Sequence, residues 1–232
     1  MNKYNILKEY FGHDSFRNGQ EEIIDSILSG RDTLGIMPTG AGKSVCYQVP
    51  AMLLDGVTIV VSPLISLMKD QVSALISAGF NAACINSSLS MEEYSAVFRN
   101  AYNGAYKLIY AAPERLDSED FLRLADHIKI SMITVDEAHC VSQWGQDFRP
   151  SYLRIIDFIS KLPSRPIVSA FTATATTDVR DDIIKILQLE DPFSITTGFN
   201  RKNLYFAVIQ PTRKYDTLRS LVAGYGEKCG IV

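Results

Sequence analysis

The stretch Thr33-Leu34-Gly35-Ile36-Met37-Pro38-Thr39-Gly40-Ala41-Gly42-Lys43-Ser44 decides the reading of the fold. An apolar run over Thr33–Met37, predicted as a strand, leads into a turn with two glycines, and a helical pattern follows. Gly40 and Gly42 let the backbone wrap closely around phosphates, with Thr39 and Ala41 completing the loop and its N–H groups turned inward as an anion nest. Lys43 would reach the β- and γ-phosphates and the Ser44 hydroxyl would ligate Mg²⁺. The plainer alternative is a glycine-rich loop that caps a helix. The strand–loop–helix setting of Gly-Lys-Ser favours phosphate, although Met37 stands where the strict pattern has glycine.

Working outward, further strands are expected at Val57–Ser62, Ala82–Asn86, Leu108–Ala111, Ser131–Val135, Ile167–Phe171, Phe193–Thr196 and Leu204–Ile209. Several, such as Thr58-Ile59-Val60-Val61, are apolar on both faces, as in a parallel sheet covered on both sides. Between them lie helical stripes. Ile23, Ile24, Ile27 and Leu28 form one, ended by Gly30; Val179, Ile183, Ile184 and Leu187 form another, with Thr176 and Thr177 as candidate caps. Such alternation predicts an α/β domain with a mainly parallel sheet flanked by helices on both faces. Ligands in such sheets bind beyond the carboxyl ends of the strands. That puts Pro38–Ser44, Ser62-Pro63, Ala112–Arg115, Asp136-Glu137 and Thr172–Thr174 along one rim.

The chain has 232 residues, 47% hydrophobic and 21% charged, which is globular composition and excludes a disordered, collagen-like or coiled-coil protein. No apolar run is long enough for a membrane-spanning helix, and the first ten residues lack a secretory pattern, so a cytoplasmic protein with no membrane partner is expected. A net charge of −3 leaves no general basic footprint, so any nucleic-acid site must be a local patch. Cys46, Cys84, Cys140 and Cys229 have no metal-site spacing and read as reduced thiols.

Four further segments bear on chemistry. Asp136-Glu137-Ala138-His139 follows an apolar strand. Beside a phosphate loop, Asp136 suits a Mg²⁺-holding carboxylate and Glu137 one that polarises the attacking water. His139 has no second histidine at ligand spacing, which excludes a zinc-protease reading; alone it reads as a structural polar residue. Thr172-Ala173-Thr174-Ala175-Thr176 reads either as a turn and helix cap or as hydroxyls bridging the nucleotide site to a second surface. Gln143-Trp144-Gly145-Gln146-Asp147-Phe148-Arg149-Pro150 holds the sole tryptophan. It is either a packed loop or an aromatic platform with a cation, suited to single-stranded nucleic acid. In Phe11–Gln20, a turn and a helix start, the Gln20 amide is able to donate to and accept from an adenine edge at once.

In this order the segments resemble the RecQ family of DNA helicases, within helicase superfamily 2, over essentially the whole chain. Phe16-Arg17 with Gln20 is similar to the family's adenine-reading segment, and Met37–Ser44 to its M-P-T-G-x-G-K-S loop. Ser62–Gln71, Ala112–Leu116, Asp136–Cys140, Val141–Pro150 and Phe199–Leu204 resemble the motifs that follow. The resemblance implies the first of two RecA-like motor domains of an ATP-dependent 3′-to-5′ DNA helicase in recombination and repair, using ATP and Mg²⁺. It implies nucleotide contacts from His13, Arg17, Gln20 and Thr39–Ser44, and catalytic roles for Lys43, Asp136 and Glu137. DNA binding and coupling would fall to Ser62, Arg115, Trp144, Gln146, Phe148, Arg149, Thr172 and Thr174. The partners would be single-stranded and partly duplex DNA and the second RecA-like domain.

Two positions depart from the family pattern. His13 stands where an aromatic often stacks on adenine, so weaker base contact is expected. Gln146 stands where histidine is frequent, which weighs against a purely imidazole-based coupling step, although glutamine still hydrogen-bonds and the loop keeps its role. The expected organisation is a first RecA-like domain over residues 1–208, then a linker and the start of a second domain over 209–232, with Lys228–Val232 reading as a strand cut short. Location would be cytoplasmic, at the nucleoid in a bacterium. Rival readings are an RNA helicase of the same superfamily, against which the absence of Asp-Glu-Ala-Asp and the Trp144 loop weigh, and a nucleotide-dependent binding module that never unwinds.

Overall fold

The computed structural model describes residues 2–145, 147–198, 204–205 and 207–226. Two units divide the chain, Met1–Phe199 and Asn200–Val232. In the first, the elements run α1 (Lys3–Phe11), α2 (Gln20–Leu28), β1 (Thr33–Ile36), α3 (Lys43–Leu53), β2 (Val57–Val61), α4 (Ile65–Ser77), β3 (Ala82–Ile85), α5 (Met91–Tyr102), β4 (Leu108–Ala111), α6 (Glu119–His127), β5 (Ile130–Val135), α7 (Arg154–Lys161), β6 (Ile167–Thr172), α8 (Thr177–Ile186) and β7 (Phe193–Thr196). The strands form one sheet in the order β3-β4-β2-β5-β6-β1-β7, and every pairing is parallel.

Both faces of the sheet are covered, as the doubly apolar strands predict. Successive side chains of a strand point to opposite faces. Ile59, Val61, Ile133 and Val135 therefore pack with Phe98 of α5, Phe121 of α6, Phe158 of α7 and Ile183 of α8. Val60, Met132, Tyr110 and Phe171 face the other way, onto Ile23 of α2, Tyr47 of α3 and Met68 of α4. Helix ends follow local chemistry. Ser90 and Glu93 make a reciprocal capping box on α5, and the Thr176 side chain caps α8 at Val179 N.

At the amino ends of the strands a buried carboxylate clamps three elements. Asp32, 3% exposed, accepts from Val168 N and Glu190 N at 2.8 Å each and pairs with Arg165 at 2.5 Å. This fixes β1 against β6 and against the turn before β7, and so sets the opposite rim, where the phosphate loop follows β1.

Seven of the eight expected strands are present. Leu204–Ile209 is not one: Leu204, Tyr205 and Ala207–Ile209 are exposed without regular structure, and Phe206 lies outside the described residues. An apolar run becomes a strand only where a neighbour takes its backbone hydrogen bonds. The regular element of the second unit among the described residues is α9 (Lys214–Tyr225).

Candidate active site

All five segments expected at one rim directly follow parallel strands: 37–44 follows β1, Ser62 β2, Ala112 β4, Asp136 β5, and Thr172 closes β6. The phosphate loop enters α3 through Gly42, whose φ of +83° is left-handed backbone. A Cβ there would also sit 2.5 Å from Gln20 Nε2, so glycine is required twice over. No side chain caps α3, in contrast to α5 and α8. An uncapped helix start with a lysine at its first position is suited to an anion. Lys43 Nζ bends back to the Met37 carbonyl at 3.2 Å, across the loop's concave side, and Thr39 and Gly40 are exposed.

The segment ahead of the loop is fastened to it. Gln20, 3% exposed, accepts from Arg17 N at 2.8 Å and donates to the Ala41 and Gly42 carbonyls at 3.1 Å each. Arg17 Nη1 donates to the Gly40 carbonyl at 2.7 Å. Both amide hydrogens of Gln20 are thus spent on the phosphate loop, an arrangement that pattern reading did not reveal because the partners are backbone atoms. His13 is exposed at the end of α1.

Asp136 and Glu137 stand two strands away, beyond β6. Burial first, and then the adjacent Glu137 charge, push the Asp136 carboxyl up to about 6, against the pull of Lys43 and of the Glu137 N–H. The Glu137 N–H donates to Asp136 Oδ1 at 3.0 Å, and Glu137 holds a left-handed backbone (φ 49°, ψ 46°) unusual for a side-chain-bearing residue. Two neighbouring carboxylates, one of them buried and raised by the charge of the other, form a hard-oxygen donor set that fits Mg²⁺. The Tyr152 hydroxyl donates to the Asp136 carbonyl at 2.9 Å and holds the turn from below.

His139, which alone reads from sequence as a structural polar residue, is brought between the Glu137 turn and the end of β6. Its Nδ1 lies 2.9 Å from Thr172 Oγ1 and 3.4 Å from Glu137 Oε2. The Thr172 hydroxyl in turn donates to the Thr174 carbonyl at 3.1 Å. With its own hydrogen committed there, Thr172 Oγ1 accepts the His139 Nδ1–H. The imidazole therefore joins the Glu137 turn to the end of β6. The only sequence signal was its place three residues after Asp136; Thr172 is 33 residues further on.

The aromatic segment is an exposed loop bolted to that same turn. Trp144 is 80% exposed, which removes the packed-core alternative for its indole. Gly145 lies so close to the backbone carbonyls of His139 and Ser142 that no Cβ fits. Arg149 N donates to the Cys140 carbonyl at 2.9 Å, Arg149 Nη1 to the Pro63 carbonyl at 3.3 Å, and its guanidinium pairs with Asp147 at 2.7 Å. Phe148 is half-buried. Gln146 and the motif residues 199–203 lie outside the described residues.

Two expected surface contacts sit differently. Ser62 is 1% exposed and its hydroxyl has no partner among the described residues; it lies behind the surface that Pro63 and Leu64 present, because β2 is central in the sheet. Arg115 is half-buried, its guanidinium 5.9 Å from the Tyr94 ring and its Nη2 3.5 Å from the Asn86 carbonyl. Thr172 is buried and Thr174 exposed. Among the described residues no cluster of His, Cys, Asp and Glu offers a separate metal site, and no helix is long and apolar enough to cross a membrane.

Fold and site together define a RecA-like P-loop domain of the kind that drives nucleotide-dependent motors. Residues 17–183 match the DEAD/DEAH box helicase family model, and the chain belongs to that family. It is 48% identical over 228 residues to the ATP-dependent DNA helicase RecQ of Bacillus subtilis (strain 168), covering 98% of this chain and 39% of that protein. To the RecQ of Pasteurella multocida (strain Pm70) it is 44% identical over 227 residues, 98% of this chain and 36% of that one. To the ATP-dependent helicase wrn-1 of Caenorhabditis elegans it is 45% identical, over 88% of this chain and 19% of that protein. The chain thus spans less than two-fifths of the length of these relatives, and the resemblance to RecQ helicases read from the motifs holds. The fold is shared with the DUF1998 helicase MrfA bound to DNA, at TM-score 0.66 and 15% identity over 84% of this chain and 30% of that one. It is also shared with a hypothetical ATP-dependent RNA helicase from Sulfolobus tokodaii, at TM-score 0.63 and 20% identity over 84% and 57%.

Proposed function

We propose that this chain is the first motor domain of a RecQ-type helicase that couples ATP hydrolysis to 3′-to-5′ movement on single-stranded DNA and to duplex unwinding in recombination and repair. The observation that carries the reading is the exposed Trp144 loop, built on the turn that bears Asp136 and Glu137. An aromatic surface rooted there has a short physical route to the hydrolytic carboxylates.

In this reading residues 1–208 are the first RecA-like domain and 209–232 lead into a second. Lys43 and the loop 39–44 hold the β- and γ-phosphates, and His13 and Arg17 lie at the base. Gln20 senses the nucleotide by way of the loop carbonyls it already binds. Ser44 and Asp136 would hold Mg²⁺, which when bound supplies charge neutralisation at the phosphates. Glu137 accepts a hydrogen bond from the attacking water and so orients it. Trp144 and Phe148 offer stacking surface, and Thr172, Thr174, Arg115 and Arg149 line the neighbouring rim. Ser62 supports that rim from beneath. Action on DNA puts the protein in the cytoplasm, at the nucleoid of a bacterial cell.

The test compares Glu137→Gln with wild type in the full-length protein. Nucleotide binding should persist while DNA-stimulated hydrolysis is lost. Loss of nucleotide binding together with turnover would make Glu137 structural. Stimulation of the wild type by RNA and not by DNA would overturn the DNA reading.

A further inference from the structure

The Trp144 loop is also held from a second direction, by helix α8. Ser142 has no exposed surface. Its hydroxyl donates to Asp182 Oδ2 at 2.6 Å and accepts the Trp144 N–H at 3.1 Å. A short bond to a carboxylate is charge-assisted and stronger than a neutral one. The amino end of the same helix grows out of Thr172–Thr176, where the Thr172 hydroxyl meets His139. From Thr176 to Asp182 the helix axis advances about 9 Å. Helix α8 packs against the Ala138–Val141 turn and reaches the base of the Trp144 loop through Asp182, while the Thr172 that meets His139 ends β6 just ahead of it. The indole itself, 80% exposed, is not fixed by packing. Trp144 and Gly145 line a cleft of about 230 Å³ together with His139, Thr174–Thr176 and Val179, so a change in the direction of the loop would reshape that cleft.

We infer that Asp182 is a positioning residue of the motor: through the Ser142 hydroxyl it fixes the Trp144 backbone relative to the Glu137–His139–Thr172 contact, so that a strand engaged at Trp144 is felt at Glu137. The inference rests on the reading of the Trp144 loop as a DNA-contacting surface. Without the pin the loop still exists, held by Gly145 and Arg149, but its tip is no longer tied to the helix that follows the Thr172 segment.

The experiment measures basal and DNA-stimulated ATP hydrolysis in the full-length protein for Asp182→Ala, Ser142→Ala, their double variant, Asp182→Asn and Trp144→Ala. Losing a hydrogen bond to a charged group should lower stimulation about tenfold in each alanine variant and leave basal turnover within about twofold. The double variant should be no worse than either single one, because both break the same pin. Asp182→Asn, which still accepts from Ser142, should retain most of the stimulation. In the 232-residue chain, whose only tryptophan is Trp144, fluorescence anisotropy should fall in both alanine variants. If these fail to fold, hydrogen exchange in the wild type decides: the Trp144 amide should exchange more slowly than its exposed neighbour Gln143, and equal rates would overturn the pin. Unchanged stimulation in folded Asp182→Ala, with stimulation lost in Trp144→Ala, overturns the inference alone. Stimulation intact in Trp144→Ala overturns the DNA role of the loop, and the inference with it.

Discussion

Replacing Asp136 by asparagine should make the chain more stable at neutral pH while removing its catalysis. Burial and the neighbouring Glu137 charge raise the Asp136 carboxyl from its ordinary 3.8 to about 6. A carboxyl whose folded pKa lies above its unfolded one is better protonated in the native state. Its penalty is absent below pH 4, grows as the pH rises through 6, and is fully present above that. A shift of about two pKa units corresponds to about 3 kcal/mol at pH 8, an order-of-magnitude ceiling on what the charge costs the fold. Asparagine keeps the shape and the acceptor for the Glu137 N–H but carries no charge. It also adds a buried amide that needs partners, a cost that does not vary with pH. The decisive quantity is therefore the difference between variant and wild type as a function of pH, not its value at one pH. Urea unfolding in EDTA without nucleotide should show Asp136→Asn gaining up to about 2 kcal/mol on the wild type between pH 4.5 and pH 8. Stability curves that run parallel across this range would refute the account, because they would mean that Asp136 is not held charged against its surroundings. In the full-length protein the same variant should abolish the proposed ATP hydrolysis, the usual trade of stability for function at a charged site.

Three other outcomes are expected. Lys43→Ala removes a charged donor to phosphate and should weaken nucleotide binding by roughly ten- to hundredfold, read by titration with a fluorescent nucleotide, with the melting temperature nearly unchanged. Gly42→Ala forces a Cβ onto left-handed backbone and against Gln20 Nε2; urea unfolding should register a loss of roughly 1–2 kcal/mol, alongside weaker nucleotide binding. Arg165→Met strips the buried Asp32 of its charge partner, far from the rim, and should cost about 3 kcal/mol in the same unfolding assay without altering nucleotide affinity per folded molecule.

The sequence by itself determined the sheet, its coverage and its rim. Apolar runs such as Thr58–Val61 and Met132–Val135 are buried whichever face they turn, so their composition alone demanded a sheet covered on both sides. Gly40, Gly42 and Lys43 were legible because a phosphate loop is local: its glycines, its lysine and its helix are consecutive. Asp136 and Glu137 were legible for the same reason, as the residues directly after a strand. Local pattern failed over the described part of Leu204–Ile209, because an apolar run becomes a strand only where a neighbouring strand takes its hydrogen bonds. Tertiary structure alone decided the strand order β3-β4-β2-β5-β6-β1-β7, and with it which rim segments meet. It joined His139 to Thr172, Ser142 to Asp182 and Arg149 to Pro63 across gaps of 33, 40 and 86 residues. It also put Ser62 beneath the surface and Trp144 out in solvent. The physical reason is that backbone geometry and local apolar patterning act between residues a few positions apart, whereas a hydrogen bond between groups on different elements exists only once the fold has brought them within about 3 Å of each other.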